Sequence, residues 1–202
     1  MQKIQLNYKR NFVIILIILI SGLVSCATGQ NVSSLSSLGN NNVLLVGRVI
    51  LDPPLQPTEY KKRISIYGST GYIYLHYSNE LKKLKNLDID LSVMSNSMKT
   101  ENANTFYLKF KNKPLYVYYG FIPMDFDIDL NSFIYAYLPA GWVVNTQSDD
   151  KAIYIGTIRY TRDEFFRITK VEIIDEYDAV SKEFYAKYGN SIPLKKSLLK
   201  SM

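Results

Sequence analysis

The chain has 202 residues, 47% of them apolar and 13% aromatic, enough to bury the core of one domain of ordinary size. Its formal charge of +6 is concentrated at the start: without Lys3, Lys9 and Arg10, 21 basic residues face 18 acidic ones, too even a balance for a nucleic-acid partner, which requires Lys and Arg massed on one face. A single cysteine and a single histidine exclude an intramolecular disulfide and the usual zinc arrangements, so neither metal nor cofactor is expected.

Residues 1–25 have the three parts of an export signal. Lys3, Lys9 and Arg10 form a cationic start, an unbroken apolar run covers 12–20, and small residues close it. A spanning helix needs about 20 apolar residues, and this run, followed by Ser21-Gly22-Leu23-Val24-Ser25, falls short. The segment Leu23-Val24-Ser25-Cys26 resembles a bacterial lipobox. That resemblance implies a lipoprotein signal peptide over 1–25 and a Cys26 that is acylated, for example with palmitate, and becomes the new first residue. It further implies a membrane as partner through the lipid anchor, and a place in the cell envelope. Ala27 after the cysteine leans that place towards the outer membrane or cell surface. Each buried CH₂ contributes about 0.8 kcal/mol, so two or three acyl chains hold a protein on a bilayer where one does so only marginally. The competing readings are an uncleaved signal anchor and a plain secretory signal with an incidental thiol.

Residues 26–42, rich in Ser, Asn and Gly, read as a flexible tether with an end-to-end distance of about 20–25 Å. A domain over 43–202 follows. Its first strand is expected at 43–51, ended by Asp52-Pro53-Pro54. Further strands are expected at 64–67, 72–77, 87–94, 105–110, 115–121, 126–130, 133–138, 142–146, 152–160 and 166–174. A hairpin loop is expected at Lys111-Asn112-Lys113-Pro114, and one short helical turn at 80–84. This rhythm of short strands and frequent turns predicts a mainly β protein, an antiparallel sandwich or a barrel. Tyr177, Val180, Phe184 and Tyr188 recur at three and four, predicting one amphipathic helix over 175–188 with Gly189-Asn190 as its stop. A frayed basic tail with Lys195, Lys196 and Lys200 is expected beyond it.

Leu138-Pro139-Ala140-Gly141-Trp142 is similar to the Leu-Pro-Pro-Gly turn of transthyretin-like (prealbumin-like) and carboxypeptidase-regulatory-like β-sandwiches. Together with the lipobox it resembles the small β-sandwich lipoproteins of spirochaetes. The likeness implies an antiparallel sandwich and does not bear on activity.

His76, the only histidine, would have to serve any Ser-His-Asp machinery, yet no nucleophile turn such as Gly-x-Ser-x-Gly accompanies it. Alternation places Tyr72, Tyr74 and His76 on one face of their strand and Ile73, Leu75 and Tyr77 on the other. Tyr116 and Tyr118 share a face, as do Tyr135 and Tyr137. All but Tyr8 of the 17 tyrosines follow Cys26. Tyr72, Tyr74, His76, Tyr116 and Tyr118 are thus the candidate binding surface, set against the plainer reading that Tyr suits a half-buried strand face. Asp125, Asp127 and Asp129 begin like a calcium loop, but Leu130 and Ala136 stand where such a loop needs Gly and Glu. An amphipathic strand with a charged outer face is the simpler reading, and a calcium site of another type, formed with a neighbouring loop, is the alternative. The expected function is therefore a non-catalytic envelope module that binds or scaffolds a protein or carbohydrate. The alternatives are a small-ligand-binding barrel for a carbohydrate or hydrophobic ligand, and a hydrolase using His76.

Overall fold

The computed structural model describes residues 32–59, 71–81, 97–111, 113–127 and 132–202. Strands β1 (Asn42–Asp52), β4 (Thr105–Lys111), β7 (Ala152–Arg162) and β8 (Ile168–Ile174) form one sheet in the order β4-β1-β7-β8, with a short β9 (Leu194–Lys196) also paired to β7. The other sheet runs β10-β6-β5-β2-β3, from β2 (Tyr72–Ser78), β3 (Ser97–Glu101), β5 (Leu115–Asp127), β6 (Ser132–Val144) and β10 (Lys200–Ser201). One helix, α1 (Tyr177–Tyr188), lies on the outside of the first sheet. The protein is a mainly β sandwich with a C-terminal helix, as the strand rhythm and the helical spacing predict.

The continuous apolar character of β1 and β7 has a direct cause. Val43, Leu45, Ile153 and Ile155 face the second sheet, while Leu44, Val46 and Tyr154 face α1, so these central strands are buried on both sides. The second sheet is antiparallel throughout, whereas β1 and β7 pair in parallel. Between β1 and β7 the chain enters the second layer twice, as β2–β3 and as β5–β6, returning in between as β4, antiparallel beside β1. Gly156, at φ 107°, sits where that parallel register shifts, and a Cβ there would meet Ile173 Cγ2 at 2.8 Å.

Helix α1 docks through Val180 and Phe184, both fully buried, with Tyr177 and Tyr188 beside them. Burying each aliphatic or aromatic side chain of this kind contributes about 1.5–3 kcal/mol. Asp178 in the first turn and Lys187 in the last complement the helix dipole. Gly189, at φ 69°, ends the helix with its N–H on the Tyr185 carbonyl at 2.9 Å.

Five local expectations are corrected. The Leu138-Pro139-Ala140-Gly141 segment is no turn: the strands expected at 133–138 and 142–146 are one strand, β6, and Ala140 and Gly141 form a bulge opposite the single residue Tyr118. Pro139 is tolerated there because, among the described residues, β10 reaches only Trp142 and Val143 and β6 has a neighbour on one side alone at that point. Lys111 to Pro114 is not a hairpin loop, since β4 and β5 belong to different sheets and the segment carries the chain from one layer to the other. Strands expected at 115–121 and 126–130 join in β5, which runs to Asp127; the remainder lies outside the described residues. The basic tail is not frayed: β9 and β10 each join a sheet, and Leu199 is buried. Finally, 32–42 does not hang free, because Val32 and Leu38 are buried against Tyr107 and α1. The strands expected at 64–67 and 87–94, most of the turn at 80–84, and the rest of the tether lie outside the described residues.

Candidate functional site

The pleat of β2 turns Ile73 and Leu75 into the core and Tyr74 outward, as alternation predicts. On β5, Leu115 and Val117 point inward while Tyr116 and Tyr118 point outward. The bulge at Tyr118 then resets the parity. Tyr119 and Phe121 also face out, and Gly120 faces in, where a Cβ would meet Leu75 Cδ2 at 2.8 Å. Cross-strand register therefore lines up Tyr74, Phe121 and Tyr137 in one row and His76, Tyr119 and Pro139 in the next.

The rings stack along these rows. Tyr74 lies on Phe121 at 5.1 Å between centroids, His76 on Tyr119 at 5.0 Å, and Tyr119 near Tyr137 at 6.4 Å. His76 also approaches Tyr118 at 6.3 Å, and Tyr135 meets the edge of Phe121. Offset and edge-on rings at these separations attract beyond their area burial, so the layer is a rigid aromatic platform. Lys99 Nζ sits 3.7 Å above the Tyr72 ring; burial pulls its pKa below the usual lysine value, partly opposed by Glu101.

All five residues of the expected binding surface thus share one face of the second sheet. They do not form an open patch, however. Tyr74 is 4% exposed and Tyr118 8%, and the Tyr118 hydroxyl donates to the Glu80 carbonyl, whereas Tyr72, His76 and Tyr116 are half-buried. Among the described side chains, the most open ring of the layer is Tyr137, at 43%. Tyr119, Phe121 and Lys99 belong to the same face and escape sequence reasoning, because alternation from Tyr116 and Tyr118 points to Gly120 and Ile122 instead. The doubled Tyr118-Tyr119 is the one sequence signal of the bulge that moves the aromatic positions.

Among the described residues, two arginine-centred ionic clusters lie elsewhere. On the outer face of the first sheet, Arg48 donates to Glu183 Oε1 at 2.7 Å, to Glu176 Oε2 at 3.4 Å and to Thr105 Oγ1 at 3.0 Å. Thr105 and Thr157 close the network by donating to Glu183 and Glu176. The Thr105 hydroxyl, helped by Arg48, holds the Glu183 carboxyl below its ordinary pKa. The cluster pins the start of α1 to β1, β4 and β7, and its ionic and hydrogen-bonding groups answer one another. At the far end of β7, the buried Arg162 makes a bidentate pair with Glu59, at 2.5 and 2.8 Å, and donates to the Pro53 and Pro54 carbonyls. That arrangement fastens 53–59 to the sheet, and the hydrogen bonds from Arg162 lower the Glu59 pKa.

Asp125 is half-buried on β5 and Asp127 ends that strand, while Asp129 lies outside the described residues. Leu23, Val24, Ser25 and Cys26 lie outside them as well. Among the described residues no cluster of three metal-ligating side chains occurs, and no helix is long and apolar enough to cross a membrane. Comparison with protein-family models, with curated proteins and with solved structures returns no match.

Proposed function

We propose that this chain is a lipid-anchored protein of the bacterial cell envelope, whose sandwich is a non-catalytic module that binds or scaffolds an envelope protein or carbohydrate. The observation that carries the reading is the order of residues at 12–26: an apolar run too short to span, then Leu23-Val24-Ser25, then the only cysteine. The fold adds a constraint on how such an anchor works. Val32 donates its N–H to the Tyr107 carbonyl at 2.9 Å, and its own carbonyl accepts from the Tyr188 hydroxyl. Only residues 27–31 then separate an acylated Cys26 from the docked Val32, and fully extended they reach about 17 Å. The domain accordingly rides close to the headgroups, with the Val32, Tyr107 and Lys187 side nearest the bilayer.

Mass spectrometry of the protein purified from bacterial membranes tests this. The expected result is a mature chain that begins at Cys26 and carries two or three acyl chains. Cys26→Ser should move the protein from the membrane pellet to the soluble or unprocessed fraction. A mature chain that retains Met1, or an unmodified Cys26, overturns the anchor. Affinity capture from envelope extract, compared between wild type and Tyr137→Ala, tests the binding role at the most open ring of the aromatic layer. An identical set of retained molecules for both rules out a role for that ring.

A further inference from the structure

The two ends of the sandwich carry opposite charge. Strand β1 runs about 30 Å, from Asn42 to Asp52. At the Asp52 end, among the described residues, Glu101 closes β3 and Asp163 and Glu164 follow β7, set against Arg167; Glu59 is answered by Arg162. At the Asn42 end stand lysines. Lys111 pairs with Asn42 on one side of β1, and Lys151, whose carbonyl accepts from Leu44, lies on the other. Lys113 donates its N–H to the Lys111 carbonyl, Lys109 Nζ donates to the Ser37 carbonyl at 2.7 Å, and Lys187 Nζ lies 4.0 Å above the Tyr107 ring. All five are exposed, and among the described residues none forms an ion pair. The cause lies in the residue order: 27–51, 102–124 and 184–202 contain no Asp or Glu, and the fold gathers all three around Val32, Tyr107 and Tyr188. Of the carboxylates nearby, Glu183 is held by Arg48 and Asp150 by Lys195, towards which Asp149 also acts.

We infer that this lysine pole binds the anionic phospholipid headgroups of the bilayer beside it and so holds the domain in one orientation, with the carboxylates of the other end turned away. The inference rests on the proposed anchor for the place of the bilayer; the charge pattern is a separate observation. Val32 docks on Tyr107, the ring that also carries Lys187, so the chain enters the domain within the lysine patch. A headgroup layer suits the spacing better than a single phosphate does. Lys111 and Lys151 flank β1 two strand spacings apart, about 10 Å, and Lys113 and Lys187 belong to other elements again, so the charges form a spread rather than converging on one point. Each lysine near an anionic surface strengthens attachment about fivefold, and the effect fades within a Debye length.

The test reconstitutes the full chain in vesicles, where either acyl chains or the apolar run at 12–20 holds it, and the intact mass of the same sample reads the anchor separately. Amine acetylation followed by peptide mass spectrometry should label Lys109, Lys113 and Lys187 at least about tenfold more slowly on vesicles with about 30% phosphatidylglycerol than on phosphatidylcholine alone. Salt at about 0.5 M should abolish the difference. Lys170, at the other end of the sandwich, should label alike on both. Lys111→Glu combined with Lys113→Glu, both at exposed positions, should return Lys109 and Lys187 to the rate seen on phosphatidylcholine. Equal labelling of the lysine pole on both vesicles overturns the proposal, as does protection that survives salt or that centres on Lys170. So does protection of Lys187 unmoved by the double variant, which would mean that nearness to the tether alone slows the reaction. An unacylated chain that still shows the expected pattern refutes the anchor and supports the lysine pole.

Discussion

Replacing Tyr160 with Phe removes one oxygen from the middle of the sandwich, where the ring lies against Trp142 with centroids 6.1 Å apart. Tyr160 is 0% exposed, and its hydroxyl has no hydrogen-bond partner among the described residues. Burying a hydroxyl without a partner costs about 1–3 kcal/mol on mutational scales. Against that, losing one oxygen leaves a void of about 10 Å³, which costs about 0.2–0.3 kcal/mol. The balance predicts that Tyr160→Phe stabilises the protein by about 1 kcal/mol, raising Tm by about 2–4 °C for a domain of this size. Alkaline pH supplies an independent check. Burial raises the Tyr160 pKa well above its ordinary 10.0, so the neutral phenol's contribution is whole below that value and is lost as pH rises past it, when the unfolded phenol ionises. The Phe variant escapes that loss, so its advantage should widen above about pH 10, with the other tyrosines common to both proteins. Urea and thermal denaturation at neutral and alkaline pH measure both effects. Destabilisation by about 1 kcal/mol or more would show that the hydroxyl is hydrogen-bonded in solution and would refute the reasoning.

Other substitutions probe the remaining elements. Phe184→Ala empties the contact between α1 and the first sheet and should cost about 3–5 kcal/mol in urea denaturation, with loss of helical circular dichroism before the sheet melts. Gly156→Ala forces a positive φ and sets its methyl 2.8 Å from Ile173, so a loss of about 1–3 kcal/mol is expected by thermal melting. Glu59 is held below its ordinary pKa of 4.5 by Arg162, so the pair's contribution is whole above that value and is lost as pH falls through the depressed one. Glu59→Gln should therefore lower stability at neutral pH and flatten its decline below about pH 4.5, as followed by stability measured across an acid series.

Much of the aromatic face is readable from residue order, and its limits are physical. Tyr72, Tyr74 and His76 share a face because a pleat alternates without exception along an unbroken strand. Tyr119 and Phe121 are missed because a bulge at Tyr118 costs little locally and is stabilised by its register with β2 and β6, whose facing residues, His76 and Pro139, lie far from it in sequence. The burial of Tyr74 and Tyr118 is equally invisible to alternation, which assigns a side chain to a face without saying what lies over it. Arg48, Glu176 and Glu183 converge from elements more than a hundred residues apart, and no spacing rule connects them.

Residue order alone determined the properties that depend on a few neighbouring residues. These are the mainly β class, the strand at 43–51, and the helix face through Val180 and Phe184. Each follows from a period of two or 3.6 that the backbone imposes over one or two turns. Tertiary structure decided what depends on surfaces brought from afar. It made β1 and β7 parallel partners, drew Val32 and Leu38 onto α1, and bound the lysine-rich end into two sheets. It also bent Pro139-Ala140-Gly141 into a bulge rather than a turn. The same segment can satisfy its own dihedral preferences in either form, and only the 13-residue strand β5 alongside it, offering hydrogen bonds on both sides of the bulge, selects between them.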